Sequence, residues 1–419
     1  MTVERRKRIQ IRARVERVFG INLFKSSSTG RGNFMKRLML TLVLVMALTS
    51  VLSLTVGSAL FAADDKSILI GCVGDFTGTY ATISADERAG AEMAIEEINS
   101  QGGVLGRKFT AIFEDSVSQP ATAATKTERL ILQERAKFLM GDISSGSTLA
   151  MMKIAEKHKV LMIAPIAESV KITTDEKSRY VFRIPAHVFM TNIALAKWMI
   201  ENAGPKMYLL SVDYDWGRMS SEAYREGAKK FGGQVVGETY FPLGTKDFAP
   251  YFGKIKSASP NCLLITSAGN DAISVLTQLN QYGLSKSMKI GGAGSMVAVS
   301  NLPALGNNAE GFVTVDYYAA TLDNPANKKF RESYEQRFRR TPSKFSVMCY
   351  ESVKWLAQVM KDSQTVDDVE KLIAAFEGSR FEGPQGPKIM DKSSHQALLP
   401  VYLISVKNGN HALGDEVKY

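Results

Sequence analysis

From Ser67 onward, short runs of β-branched and apolar residues alternate with stretches whose apolar positions recur every three to four residues. This is the pattern of strands and helices in parallel βαβ units. The spacing predicts strands at Ile68 to Val73, Phe109 to Glu114, Phe138 to Met140, Leu161 to Ala164 and Val181 to Ile184. The rhythm then restarts with Met207 to Val212, Val235 to Phe241, Cys262 to Thr266, Lys289 to Gly291 and Phe312 to Val315, so the chain reads as two α/β lobes rather than one long sheet. Between strands, Ser84 with Glu87 has the form of a capping box, and Ala91, Ala94, Ile95 and Ile98 follow on one helical face. A helix around Ser221 carries Tyr224, Ala228 and Phe231 and stops at Gly232-Gly233. A helical block runs from about Pro325 to Phe376, with Thr365 as N-cap of its last helix; the Gly/Pro-rich FEGPQGP and a strand near Val401 to Val406 follow.

Charge first changes this picture, then narrows it. The chain has 419 residues, 45% apolar, with a net charge of +10; that length suits two domains or one large α/β unit. The charge is concentrated in residues 1–37, where eleven Lys/Arg face only Glu4 and Glu16. The remainder carries 41 basic against 40 acidic residues, so the fold offers no general polyanion surface. Residues 35–63 have the parts of a secretory signal: basic Lys36-Arg37, the apolar run Leu38 to Val56, and the small residues of GSALFAA. Gly57/Ala59 fit the small-residue rule best, and cleavage after Ala62 or Ala63 is the alternative. Residues 1–34 read as a start-codon overcall or a basic extension. Leu69-Ile70-Gly71-Cys72 spells a lipobox, but Asp64, Asp65 and Lys66 separate it from the apolar run, so Cys72 is expected inside the first strand. Cys72, Cys262 and Cys349 allow at most one disulfide and lack metal-type spacing.

Enzyme chemistry finds little support. The chain has no Walker loop, nucleophile elbow, HExxH or paired CxxC. Gly71, Gly74 and Gly78 run through the end of the first strand and its turn, but their spacing is not that of a dinucleotide fingerprint, and Glu114 and Asp115 lie about forty residues on where about twenty is expected. The histidines (His158, His187, His395, His411) are scattered, so neither a metal site nor a histidine-based triad is expected, and no cofactor is. What the strand ends do carry is hydroxyl-rich and glycine-rich loops, where open α/β sheets bind ligands. Gly141 to Thr148 includes Ser144, Ser145, Gly146 and Ser147 at a helix start; it fits a carboxylate cradle or an ordinary N-cap. Ala167-Glu168-Ser169 and Thr77 to Tyr80 line the same rim. In the second half Trp216 follows its strand, to cover an apolar ligand or to pack a helix.

These stretches together carry a resemblance. "IGCVGDFTGTYA" (70–81), "AGAEMAIEEINSQGGVLGRKFTAIFEDSVSQPATAA" (89–124), "GDISSGSTLAMMKIAEKHKVLMIAPIAES" (141–169), "DYDWGR" (213–218) and "GTKDFAPYFGKIKSASPNCLLI" (244–265) resemble, in order, the periplasmic substrate-binding proteins of ABC importers, in the branched-chain amino acid (Leu/Ile/Val) branch. The resemblance covers residues 67–407. It implies the type I periplasmic binding protein fold: two Rossmann-like α/β lobes with parallel central sheets, joined by three crossovers that are expected near Arg183, Asp316 and Gly386. Lobe one is then 67–183 with 317–386, and lobe two 184–316 with 387–412. It also implies a periplasmic monomer that closes on a small molecule and delivers it to membrane permease subunits, with no nucleic acid as partner.

Carried over by position, the resemblance gives Ser145 to the ligand carboxylate, Ala167 and Ser169 to its polar head, and Trp216 to closure from lobe two. One departure bears on the ligand. Where amino-acid binders of this family place a glutamate, this chain has Gly291 to Ser295, and the loop around Gly269 lacks the family's aromatic residue. Either Asp271, Glu168 or Asp316 pairs a ligand ammonium, or the ligand is an amine-free aromatic or aliphatic carboxylate. A ligand-sensing module of a signalling receptor and a secreted α/β enzyme are the readings from other classes.

Overall fold

The computed structural model describes residues 67–417; the expected signal, basic extension and cleavage site lie outside them. The first sheet has five parallel strands in the order β2-β1-β3-β4-β5: β1 Ser67–Gly74, β2 Lys108–Asp115, β3 Phe138–Gly141, β4 Leu161–Ala164 and β5 Val181–Arg183. Ile68, Ile70 and Cys72 of β1 pack into one apolar layer while Leu69 and Val73 pack into another. That is the two-faced burial of a parallel sheet covered by helices. These helices are α1 Ala81–Ser100, α2 Pro120–Leu132 and α3 Ser145–His158. Cys72 is thus a buried strand residue with a free thiol; Cys262, in a later strand, and Cys349, in a later helix, are likewise free and buried.

After β5 the chain enters α4 Val188–Asn202 and a second sheet of seven strands, ordered β15-β14-β10-β9-β8-β6-β7, with β14 (Val401–Lys407) and β15 (Asn410–Val417) from the end of the chain. Its parallel part is β6 Lys206–Val212, β7 Gln234–Phe241, β8 Cys262–Thr266, β9 Lys289–Gly292 and β10 Val313–Asp316. The helices α5 Asp215–Phe231, α6 Ala249–Ala258, α7 Gly269–Gln281 and α8 Leu302–Leu305 intervene.

The helical block resolves into α9 Pro325–Phe338, α10 Lys344–Ser363 and α11 Val369–Phe376. They belong to the first lobe, since α10 crosses α1 so closely that a Cβ on Gly90 would stand 2.0 Å from the Ser346 carbonyl oxygen.

Three local readings are corrected. The first helix begins at Ala81, and the Ser84 hydroxyl accepts from the Asp75 N–H at 3.1 Å instead of capping. The last helix of the block is capped by Asp368, which accepts from Lys371 N–H at 3.1 Å. The FEGPQGP stretch is a hairpin of β11 Arg380–Gly383 and β12 Gly386–Met390, extended by β13 Ala397–Leu398. This small sheet is tied to the first lobe through the Phe182–His395 and Trp355–Phe381 ring stacks. The passage expected near Gly386 therefore comes later, just before β14 Val401–Lys407, which with β15 Asn410–Val417 adds antiparallel strands to the second sheet. Among the described residues no helix is long and apolar enough to cross a membrane.

Candidate ligand-binding site

Both sheets reverse direction at an equivalent point, between β1 and β3 in one and between β6 and β8 in the other. Loops leaving the carboxyl ends of strands at such a point diverge and leave a crevice. Here the two crevices face each other. The cavity between them is lined by Tyr80, Ile143, Ile166, Glu168 and Phe345 from the first lobe and by Tyr214, Trp216, Ala268 and Ser295 from the second. Four of these nine side chains are aromatic, so the wall suits an apolar ligand body.

The lobes are closed on one another. The Tyr80 and Tyr214 hydroxyls meet at 3.1 Å, the Asn270 N–H donates to the Thr79 carbonyl at 3.2 Å, and Trp216 Nε1 donates to Glu168 Oε2 at 3.1 Å. Asp215, in the first turn of α5, accepts from the Ser169 hydroxyl and pairs with Lys171 Nζ at 2.5 Å. The closed cavity has a volume of about 20 Å³, room for a single water. A solute therefore enters only when the lobes part. A larger groove of about 690 Å³ lies between the β11–β13 sheet and the end of β15, away from these strand ends.

At the polar end of the cavity lies an ion cluster. Glu168 Oε1 accepts from Lys344 Nζ at 3.1 Å and from the Tyr317 hydroxyl at 3.1 Å, and Lys344 Nζ also reaches Asp316 Oδ1 at 3.1 Å. Burial opposes the Lys344 charge, but Asp316 and Glu168 outweigh it and hold its pKa above the ordinary lysine range. Arg183, fully buried at the end of β5, supports this wall by donating to the Ser169 carbonyl, to Thr173 Oγ1 at 2.5 Å and to Gln396 Oε1 at 2.5 Å. Beneath α3, burial pushes the Asp142 carboxyl up to about 7 even though it accepts from the Ser116 hydroxyl and the Ser144 N–H.

Of the residues expected from the sequence, Tyr80, Glu168, Trp216 and Ser295 line the cavity. The others lie around it in other roles. Ser144 is the N-cap of α3, accepting from Ser147 N–H at 3.4 Å, and Ser145 accepts from the Ser169 N–H at 3.3 Å while fully buried. A Cβ on Gly146 would stand 3.5 Å from the Pro120 ring, and Ala167 packs in the apolar layer with Met151 and Ala155. Thr77 is exposed, its hydroxyl donating to Asp115 at 2.6 Å, because the loop after β1 is held against the end of β2, where the Phe76 N–H also donates to Asp115. Ser169 spends its hydroxyl on Asp215. Asp271 accepts from the Gly244 N–H at 2.8 Å, and burial raises its pKa to about 6. Gly269 sits in the left-handed region at φ 55°, where a Cβ would stand 2.2 Å from the Thr79 carbonyl oxygen. Asp316 belongs to the ion cluster. Sequence reading missed Ile143, Ile166, Tyr214, Ala268 and Phe345 of the lining, and Lys344 and Tyr317 of the ion cluster. The one available signal was a lysine opening an otherwise apolar helix, KFSVMCY; its partner acids lie 28 and 176 residues away.

This arrangement has counterparts. A family profile described as periplasmic binding protein matches residues 67–411. Among curated relatives, the "Leu/Ile/Val-binding protein homolog 6" of Brucella melitensis is 26% identical over 379 residues, spanning 89% of this chain and 93% of that one. The leucine-, isoleucine-, valine-, threonine- and alanine-binding protein of Pseudomonas aeruginosa is 26% identical over 332 residues, spanning 79% and 87%. Among solved structures, an ABC-transporter solute-binding protein of R. palustris in complex with benzoate superimposes with a TM-score of 0.79 at 25% identity, covering 84% of this chain and 96% of that one. The isoleucine complex of LivJ from Streptococcus pneumoniae shares the fold, with a TM-score of 0.76 at 24% identity over 84% and 100% of the two chains. With two lobes hinged about one crevice and a profile match across nearly all described residues, the chain belongs to the periplasmic binding protein family, among relatives of the Leu/Ile/Val-binding branch.

Proposed function

We propose that this protein is the periplasmic solute receptor of an ABC importer, exported by the segment at 35–63. It captures a small carboxylate-bearing solute between its lobes and presents the closed complex to permease subunits, as a monomer and without catalytic turnover. The observation that carries the reading is the cavity at the facing switch points of both sheets, walled by Tyr80, Tyr214, Trp216 and Phe345 and bridged by hydrogen bonds from lobe to lobe. Ligand capture by lobe closure needs this arrangement, since contacts to solute and contacts between lobes then form together. The relatives support the solute class: benzoate and isoleucine, the ligands of two structural counterparts, each carry a carboxylate on an apolar body.

The test is thermal unfolding of protein stripped of carried-over solute by unfolding and refolding, against branched-chain amino acids, amides, and aliphatic and aromatic carboxylates. A ligand at about a thousand times its Kd adds about 4 kcal/mol of stability, a rise of several degrees. A panel in which no carboxylate raises the Tm sinks the reading.

A further inference from the structure

Lys344 is the first residue of α10, with its side chain 5% exposed. A cation held out of water at the positive end of a helix is unfavourable on both counts. It is stable there because two carboxylates from distant segments converge on it, Glu168 from the loop after β4 and Asp316 from the end of β10, each at 3.1 Å. The Tyr317 ring face lies 4.7 Å from the ammonium. A local rule broken at such cost, beside a cleft, points to a function.

The consequence is for the ligand. Glu168 is the acid that lines the cavity, and among the described residues it accepts three hydrogen bonds, from Lys344, Tyr317 and Trp216. Asp316 is held by Lys344 and by the Tyr317 N–H, and it packs so closely on Gly294 that a Cβ there would stand 1.7 Å from Oδ2. Any side chain at 294 would have to displace the Asp316 carboxylate, so this position adds no acid of its own. A ligand ammonium entering this end of the cavity would share two engaged carboxylates with a cation already in place, and would be repelled by it.

We propose that Lys344 is a specificity determinant: it fills the ammonium place of the cleft with the protein's own amine, so that the receptor takes carboxylates with an apolar body and no amine and rejects their α-amino counterparts. This rests on the reading of the cleft as a receptor site for small carboxylates.

Matched pairs differing only in the α-amino group test it: 4-methylpentanoate against leucine, 3-methylbutanoate against valine, 3-phenylpropanoate against phenylalanine, and phenylacetate against phenylglycine. Calorimetric titration of the stripped protein should show the amine-free member of a pair binding at least ~100-fold more tightly. In Lys344→Met that ratio should fall at least ~10-fold through a gain in amino-acid affinity, since the ligand ammonium then meets unpaired acids. Lys344→Met/Asp316→Asn leaves one fewer buried charge unpaired and should show the same fall, which keeps the comparison readable if the single variant does not fold. Amino acids binding wild type as tightly as their amine-free partners, or a ratio unchanged in the variants, would overturn the inference alone. Binding of neither member of any pair would overturn it together with the carboxylate-receptor reading.

Discussion

Trp216 illustrates how one side chain serves both closure and the cavity. It stands in the first turn of α5, lines the cleft, and donates Nε1 to Glu168 of the opposite lobe at 3.1 Å. Trp216→Phe keeps the aromatic wall and removes the bond, so ligand affinity should fall by about 1 kcal/mol, roughly 5-fold, while the ligand-free Tm stays nearly constant. A Tm loss as large as the affinity loss would assign the residue to packing. Asp142 carries a different prediction. Burial raises its pKa from the ordinary 3.8 to about 7, so the folded state holds a proton that the unfolded chain releases earlier. The resulting stabilisation is complete below pH 3.8 and is lost as pH rises through about 7. Relative to Asp142→Asn, the wild type should lose on the order of 4 kcal/mol across that window. Parallel Tm–pH curves for the two proteins would refute it. The sequence showed Trp216 and Glu168 as candidates because each follows a strand; it showed nothing of Asp142's burial, which depends on Ser116 and Ser144 being folded over it.

At the level of elements, α10 has the most to do with the site. It brings Phe345 to the cavity and Lys344 to the acids Glu168 and Asp316 beside it, and its position is set by the crossing with α1 at Gly90. Gly90→Ala places a methyl group against the Ser346 backbone, which cannot yield as a side-chain tip can. It should therefore cost about 1–3 kcal/mol or more, lower the Tm by several degrees and weaken ligand binding as well. A Tm within a degree of wild type would show that the helices separate freely. Helices and parallel strands were legible because their periodicity is written in local residues: every position of β4 and β8 is buried, and each reads as an apolar run, closed in β8 by Thr266. The β11–β12 hairpin was not legible, since its Gly and Pro residues suit a loop equally well, and only its partnership with the first lobe makes it a sheet. β15 was missed for a related reason: it is largely exposed and contains Gly414-Asp415-Glu416, a composition that is strand-like only when β14 pairs with it.

In the receptor reading proposed above, the whole molecule opens and closes about the passages between its sheets, and Gly269 shows how tightly the lobes meet. With φ 55° and no room for a Cβ beside the Thr79 carbonyl, this position is where the lobes meet backbone to backbone. Gly269→Ala should leave each lobe folded but hinder closure, lowering ligand affinity about 10-fold or more through faster release; unchanged dissociation kinetics would place the closing contact elsewhere. Apolar periodicity determined by itself that there are two α/β lobes, because burial of each strand and helix face is a property of neighbouring residues in the chain. Glycine- and hydroxyl-rich strand ends likewise pointed to the rim of a crevice. Only the tertiary structure decided which of those residues turn inward and what charge they meet. Glu168, Asp316 and Lys344 come from three separate segments, and their electrostatics depend on distances of 3.1 Å that no local pattern encodes. Sequence reading left the acids available for a ligand ammonium; the fold had already given them one.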